Sequence, residues 1–419
     1  MAEPYRPRIV DEELAVRLGS AGAVLIEGPR ACGKTATGRR QAASEVLLDV
    51  DAGLRQAAEL EPGLVLGGPT PRLIDEWQSA PAIWNHVRRA VDMGGGPGRF
   101  VLTGSAVPPD DTTRHTGAGR VSRLPMRPMS LFESGHSTGA MSLGAMLRSE
   151  SVPAQPGRTT VADLVELVCR GGWPLCHNMD TDDAQDFIGD YLDELARSEV
   201  SAVDGVRRDP AAVARLLVSL ARNISTEATM STLSSDAGGG QPIDPRTTAS
   251  YLSALERLFV VEDVPAWGPQ LRSRSRLRGA PKRQLVDPSL AAAALSADPG
   301  RLLADLETLG FLFESLCVRD LRVYCQMMRA ELSHYRDNTG LEVDTIIRQR
   351  NGEWMAAEIK LGGRAAVEAA AASLVKLRDD RIDPTRVGDP RRLVVITATG
   401  FAYERTDGVA VAPITALGP

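Results

Sequence analysis

The sequence predicts an α/β chain of several domains: a sheet domain with a glycine loop, a helical middle, and a second α/β domain after it. Three observations predict this. An apolar strand, a glycine loop and a helix follow one another in "AVLIEGPRACGKTATGRRQAA". Apolar residues then recur at helical spacing between residues 161 and 258. A strand–turn–strand pattern, "LEVDTIIRQRNGEWMAAEIKLG", comes later. At 419 residues the chain is too long for one core, and its 43% hydrophobic and 24% charged residues are ordinary for globular domains.

The first strand runs from Ala23 to Glu27. The loop after it (Gly28, Pro29, Arg30, Ala31, Cys32, Gly33, Lys34, Thr35) fits G-x-x-x-x-G-K-[ST]. Glycines let the backbone curl so that N–H groups and a helix N-terminus face a triphosphate. Only four of the 48 basic residues are lysines: Lys34, Lys282, Lys360 and Lys376. At Lys34 a compact ammonium group on a flexible stem reaches the β- and γ-phosphates of ATP, where arginine's planar fork does not fit. Thr35 supplies a hydroxyl to Mg2+. A second strand, in "TPRLIDEWQSAP", ends in Asp75, which holds the metal, and Glu76, which polarises the attacking water. A third, in "GRFVLTGS", ends in Thr103 and Ser105, either of which contacts the γ-phosphate or that water.

These stretches, with "LIDEWQSAPAIW" and "GAGRVSRLPMRPMSLFE", resemble a prokaryotic family of AAA-type P-loop ATPases. The resemblance implies an ATPase domain over residues 1–135. It also implies that Arg120 stabilises γ-phosphate charge, in cis or from a neighbouring subunit of a homo-oligomer.

Residues 136–160, rich in Ser, Gly, Pro and Thr, read as a flexible insertion. Residues 161–224 read as a helical lid-like segment, with "VADLVELVCRGGWP" stopping at Gly171–Gly172. Residues 225–280 read as winged-helix-like, with a second helix from Asp244–Pro245 to Leu258 that bears Arg246 and Thr247. In "RSRSRLRGAPKR", Arg272, Arg274, Arg276, Arg278, Lys282 and Arg283 form a basic stretch without an acid, the best candidate for nucleic-acid contact.

From residue 281 to 419 the pattern is α/β. Glu358 and Lys360 share a strand face, and Asp344 lies on the opposing arm of the hairpin. Asp with Glu-x-Lys is the PD-(D/E)XK arrangement of restriction-endonuclease-like nucleases, whose carboxylates hold Mg2+ or Mn2+ and whose lysine activates water. Glu314, on a helix expected to bury Phe311, Leu312 and Leu316, matches the acid of the preceding helix. Asp344 stands opposite Glu358 only if the hairpin centres on Asn351, with a loop Arg350–Asn351–Gly352 and Gly352 left-handed. A two-residue Asn–Gly turn would set Asp344 opposite Ile359 instead. "PKRQLVDPSL" and "DGVAVAPI" extend the family resemblance to nearly the whole chain.

A net charge of −6 excludes a global nucleic-acid footprint and leaves only a local patch. The five cysteines lack zinc-site spacing, and no signal core or membrane-spanning run is present, so a cytoplasmic protein without membrane partners is expected. Together these features predict an Mg2+-dependent ATPase that engages nucleic acid and carries a nuclease-like metal site. The alternative is a nucleotide-switched DNA- or protein-binding adaptor whose nuclease-like domain is inactive.

Overall fold

A computed structural model describes residues 5–107, 116–150, 155–156, 159–269 and 279–419. It divides into two compact units. One comprises Met1–Pro128, Arg197–Arg208 and Tyr251–Val260; the other comprises Met129–Ala196, Asp209–Ser250 and Val261–Pro419.

The first unit is built on five strands: β1 (Ala23–Glu27), β2 (Ser44–Leu47), β3 (Arg72–Asp75), β4 (Phe100–Gly104) and β5 (Val121–Pro125). They form one parallel sheet in the order β2-β3-β4-β1-β5. Uninterrupted apolar runs such as "AVLI" and "FVL" suit strands covered on both faces, as parallel sheets are. Leu25, Ile74, Phe100 and Leu102 form the core with Trp77, Ile83 and Trp84 from the turn and helix after β3. Because β4 lies between β1 and β3, the carboxyl ends of all three strands meet at one edge. Ligands of open α/β sheets bind at that edge.

The second unit carries β6 (Met141–Ser142), β7 (Gln155–Pro156), β8 (Ala330–Arg336), β9 (Glu342–Gln349), β10 (Trp354–Lys360), β11 (Leu393–Thr397), β12 (Phe401–Glu404), β13 (Val409–Pro413) and β14 (Leu417–Gly418). Seven of these form a mixed sheet in the order β7-β12-β13-β11-β10-β9-β8. The β9–β10 register pairs Trp354 with Arg348 and Ala357 with Thr345, so the hairpin is centred on Asn351. Gln349 N–H donates to Glu353 O, which closes a three-residue loop, and Gly352 adopts φ +92° as that loop requires. The next pair in the register is Asp344 with Glu358.

The helix Leu306–Met327 is buried along most of its length. Phe313, Leu312 and Leu316 are its core contacts, whereas Phe311 is 37% exposed, one position off the apolar face anticipated from the sequence. The same helix buries Arg319 and Asp320. Arg319 spans Asp287 (2.9 Å) and Asp320 (2.7 Å), and Asp287 also accepts from Gly172 N and Ser289 N. Asp320 accepts from Leu131 N. Every member of the network is satisfied, so four chain segments are tied together without an orphaned charge.

Within the stretch expected to be a flexible insertion, residues 136–150 are ordered and partly buried. Met141, Leu143, Met146 and Leu147 are buried, the helix Leu143–Leu147 is capped by Ser142, and β6 pairs with β14. Their apolar side chains are too closely spaced to register as a periodic element in so short a segment. Helices Val161–Arg170, Thr181–Glu194, Pro210–Arg222, Met230–Gly238 and Pro245–Arg257 fill the middle. Arg246 and Thr247 are exposed at the start of the last of these. After the last of these, two isolated antiparallel bridges join Val261 to Leu285 and Val264 to Lys282. Among the described residues no helix is long and apolar enough to cross a membrane, and all five cysteines are free and buried.

Replacing Arg319 by Met strands two buried carboxylates, and a loss of about 3–5 kcal/mol is expected. Urea unfolding of the second unit checks this; an unchanged midpoint would show that the network contributes little.

Candidate functional site

The loop after β1 turns directly into the helix Lys34–Gln41. Gly33 caps that helix at φ +103°, and Ala31 also has positive φ. Gly28 is demanded by space rather than by torsion, since a Cβ there would lie 2.0 Å from Met126 O. Cys32 is buried with its Sγ 3.6 Å from the same carbonyl. Lys34, 5% exposed, donates from Nζ to Gly28 O (3.0 Å) and Pro29 O (2.8 Å). An ammonium group has three donors, so this geometry leaves one for an anion.

Asp75 ends β3 beside the loop. Its Oδ1 accepts from Thr35 Oγ1 at 2.8 Å and from Thr103 Oγ1 at 2.5 Å. Burial raises its pKa, against the lowering effect of those two hydroxyls. Glu76 follows in the left-handed region (φ +49°), a strained conformation for a non-glycine residue. Its N–H donates to Thr103 Oγ1 (3.0 Å), and its carboxylate accepts from Ser105 Oγ (2.9 Å) and Gln78 Nε2. Thr103 thus fixes both acids, while Ser105 and Gln78 hold the Glu76 carboxylate.

Two arginines behave differently from expectation. Arg120 precedes β5, and its carbonyl accepts from Ala23 N at the start of β1, so it lies at the edge of the sheet opposite the loop. The five-residue β1 at about 3.3 Å per residue separates the two edges by roughly 16 Å. Arg120 pairs with Asp92 at 2.8 Å and does not reach the loop of its own chain. Arg30 leaves the loop for Glu199 (2.8 Å). Arg8, which no sequence signal marked, is buried and donates to Cys32 O (2.8 Å) and Arg127 O (2.7 Å), tying the loop to the segment after β5.

The second unit brings Glu314, Asp344, Glu358 and Lys360 into one cluster, with a fifth member. Lys282 Nζ lies 2.8 Å from Glu314 Oε1 and 2.9 Å from Asp344 Oδ1. Lys360 Nζ lies 3.2 Å from Asp344 Oδ2 and 2.7 Å from Glu358 Oε2, and Ile359 N donates to Asp344 Oδ2 at 2.9 Å. Burial opposes ionisation of Asp344, but Lys282, Lys360 and the Ile359 N–H outweigh it and hold the carboxyl below its usual range. Burial, then the Asp344 charge, push Glu314 and Glu358 upward. Burial disfavours the charged form of both lysines, yet the carboxylates prevail and raise them.

Lys282 and Arg283 were expected in an exposed basic stretch. Both are buried instead, Arg283 against Asp263. Arg272, Arg274, Arg276 and Arg278 lie outside the described residues. Among the described residues no group of three or more Asp, Glu, His or Cys side chains is arranged to hold a metal ion. Glu314, Asp344 and Glu358 share the cluster, but the two ammonium groups stand between their oxygens.

Residues 20–134 match an AAA domain, which supports a P-loop ATPase in the stretch that holds the loop after β1. Residues 161–301 and 309–417 each match a domain of unknown function, DUF8612 and DUF4143 respectively. Uncharacterized proteins of Mycobacterium bovis and Mycobacterium tuberculosis are each 25% identical over 382 residues, covering 89% of this chain and 78% of theirs. A Walker-type ATPase of Pyrococcus abyssi superposes with a TM-score of 0.44 at 14% identity, over 70% of this chain and 99% of that one.

The contact at Gly28 predicts the outcome of Gly28→Ala. The added methyl displaces either the loop or the segment after β5, and overpacking of this kind costs about 1–3 kcal/mol. A lowered melting temperature of the N-terminal unit is expected, and wild-type melting would show that the loop relaxes freely.

Proposed function

We propose that this chain is an Mg2+-dependent ATPase acting as a nucleotide-driven switch, with a nuclease-like C-terminal domain that engages nucleic acid and holds it without cutting. The observation that carries the ATPase reading is the bonded set Thr35–Asp75–Thr103–Glu76 beside Lys34. Lys34 and the loop N–H groups bind the β- and γ-phosphates. The Thr35 hydroxyl and the Asp75 carboxylate are adjacent hard oxygen donors on a desolvated site, a set that fits Mg2+. When bound, that ion neutralises phosphate charge. Glu76 orients water on the γ-phosphate, and its carboxylate is released from Ser105 and Gln78 to do so. Arg120, at the far edge of the sheet and paired with Asp92, acts on the phosphate of a neighbouring copy.

For the C-terminal half, two readings compete: a metal-dependent nuclease, and an adaptor with a nuclease-like fold that no longer cuts. The two ammonium groups that compensate the three carboxylates support the adaptor. The exposed Arg246 and Thr247, at the start of a helix in the winged-helix-like segment, support nucleic acid as the partner.

Lys34→Ala is expected to weaken ATP binding at least 100-fold while leaving the second unit folded, whereas Glu76→Gln binds ATP but turns over about 100-fold more slowly or worse. Equilibrium binding and phosphate release measure these, and wild-type affinity in Lys34→Ala would remove the assignment. With Mg2+ or Mn2+ and ATP, wild type is expected to leave supercoiled plasmid intact. Nicking that disappears in Asp344→Ala would instead establish the nuclease.

A further inference from the structure

A two-carboxylate metal centre needs the wedge between its oxygens open to the ion. In this chain the wedge between Glu314 Oε1 and Asp344 Oδ1 contains the Lys282 ammonium nitrogen, 2.8 and 2.9 Å from them. A divalent ion bridging the same oxygens at about 2.1 Å would fall against that nitrogen. Lys360 covers the other side, bound to Asp344 Oδ2 and Glu358 Oε2, and the Ile359 N–H takes a further lone pair of Asp344. Each carboxylate therefore already has a cation. A divalent ion placed in the wedge would lie against the like charge of the Lys282 ammonium group, with that of Lys360 on the other side of Asp344. Such repulsion is severe where water does not screen it.

We infer that Lys282 is the resident cation of this centre: its side chain takes the position of a divalent ion, so the centre is complete without metal and closed to it. The inference rests on the nuclease-like reading of the cluster and assigns a role to a residue outside the Asp–Glu-x-Lys pattern. Lys282 holds its place because its backbone pairs with Val264 in both directions, at 2.9 and 3.0 Å, which fixes the root of the side chain. The lysine is only 7% exposed, so its ammonium group is held among the carboxylates rather than in solvent.

The test is a nucleotide-free Mn2+ titration of the full chain, read by the loss of the free-ion electron paramagnetic resonance signal. Wild type and Asp344→Asn are expected to give the same curve, with no Asp344-dependent uptake. Lys282→Met is expected to gain one ion at least tenfold more tightly than wild type, and Lys282→Met/Asp344→Asn to lose it. Lys282→Arg, which keeps the charge, is expected to resemble wild type. Asp344-dependent binding by wild type as tight as that of Lys282→Met would overturn the inference, as would a folded Lys282→Met that takes up no ion. If Lys282→Met does not fold, the comparison of wild type with Asp344→Asn still decides. A chain that proves never to touch nucleic acid would defeat the reading of nucleic acid as the partner and leave these titration results standing.

Discussion

A protonated amine removed from water must be surrounded by oxygen, and that requirement organises both halves of this chain. Lys34 meets it with two carbonyl groups of its own loop, and Lys282 and Lys360 meet it with three carboxylates. The fourth lysine, Lys376, is exposed in the last turn of its helix, where the helix dipole favours a cation. The difference between the buried partners is chemical. Carbonyl groups are neutral acceptors, and bonds to charged acceptors are roughly twice as strong. An arriving phosphate therefore competes well for Lys34, whereas nothing short of a stronger anion draws Lys282 from Glu314 and Asp344.

The sheet of the first unit turns this into a site. With β4 between β1 and β3, one threonine reaches acids on either side of a peptide bond, and the loop lysine is delivered to the same edge. In the second unit the arrangement depends on a hairpin instead. Its register sets Asp344 against Glu358 across neighbouring strands, and the helix Leu306–Met327 brings Glu314 to them. That helix carries buried charge because Glu314, Arg319, Asp320 and Arg322 each find a partner.

Much of this was legible in the residues. Strand, loop and helix around Lys34 announce themselves through apolar runs and glycine, and the hairpin register follows from counting outwards from Asn351. What was not legible depends on contacts distant in sequence. Lys282 is flanked by arginines, and nothing local distinguishes its inward course from a solvated run. Its partners are 32 and 62 residues away. Arg8 is hidden for the same reason, since the carbonyls it binds belong to the loop and to the segment after β5. Arg120 was assigned from a motif that gives spacing but not the edge of the sheet. Phe311 and Phe313 differ by two positions on a helix buried nearly all round, where periodicity discriminates poorly.

The loop at the tip of the hairpin has one more consequence, for the lifetime of the polypeptide. Asparagine followed by glycine is prone to spontaneous deamidation, because the glycine nitrogen attacks the side-chain amide and closes an imide ring. Here the Gly352 nitrogen is engaged by Gln349 O at 3.0 Å. The Asn351 amide is clasped on both ends by Glu353, its oxygen by the backbone N–H at 3.0 Å and its nitrogen by the carboxylate at 2.9 Å. The compact turn therefore engages the nucleophilic nitrogen and fixes the amide towards Glu353, and so slows a reaction that would insert an extra backbone carbon and shift one arm of the hairpin against the other.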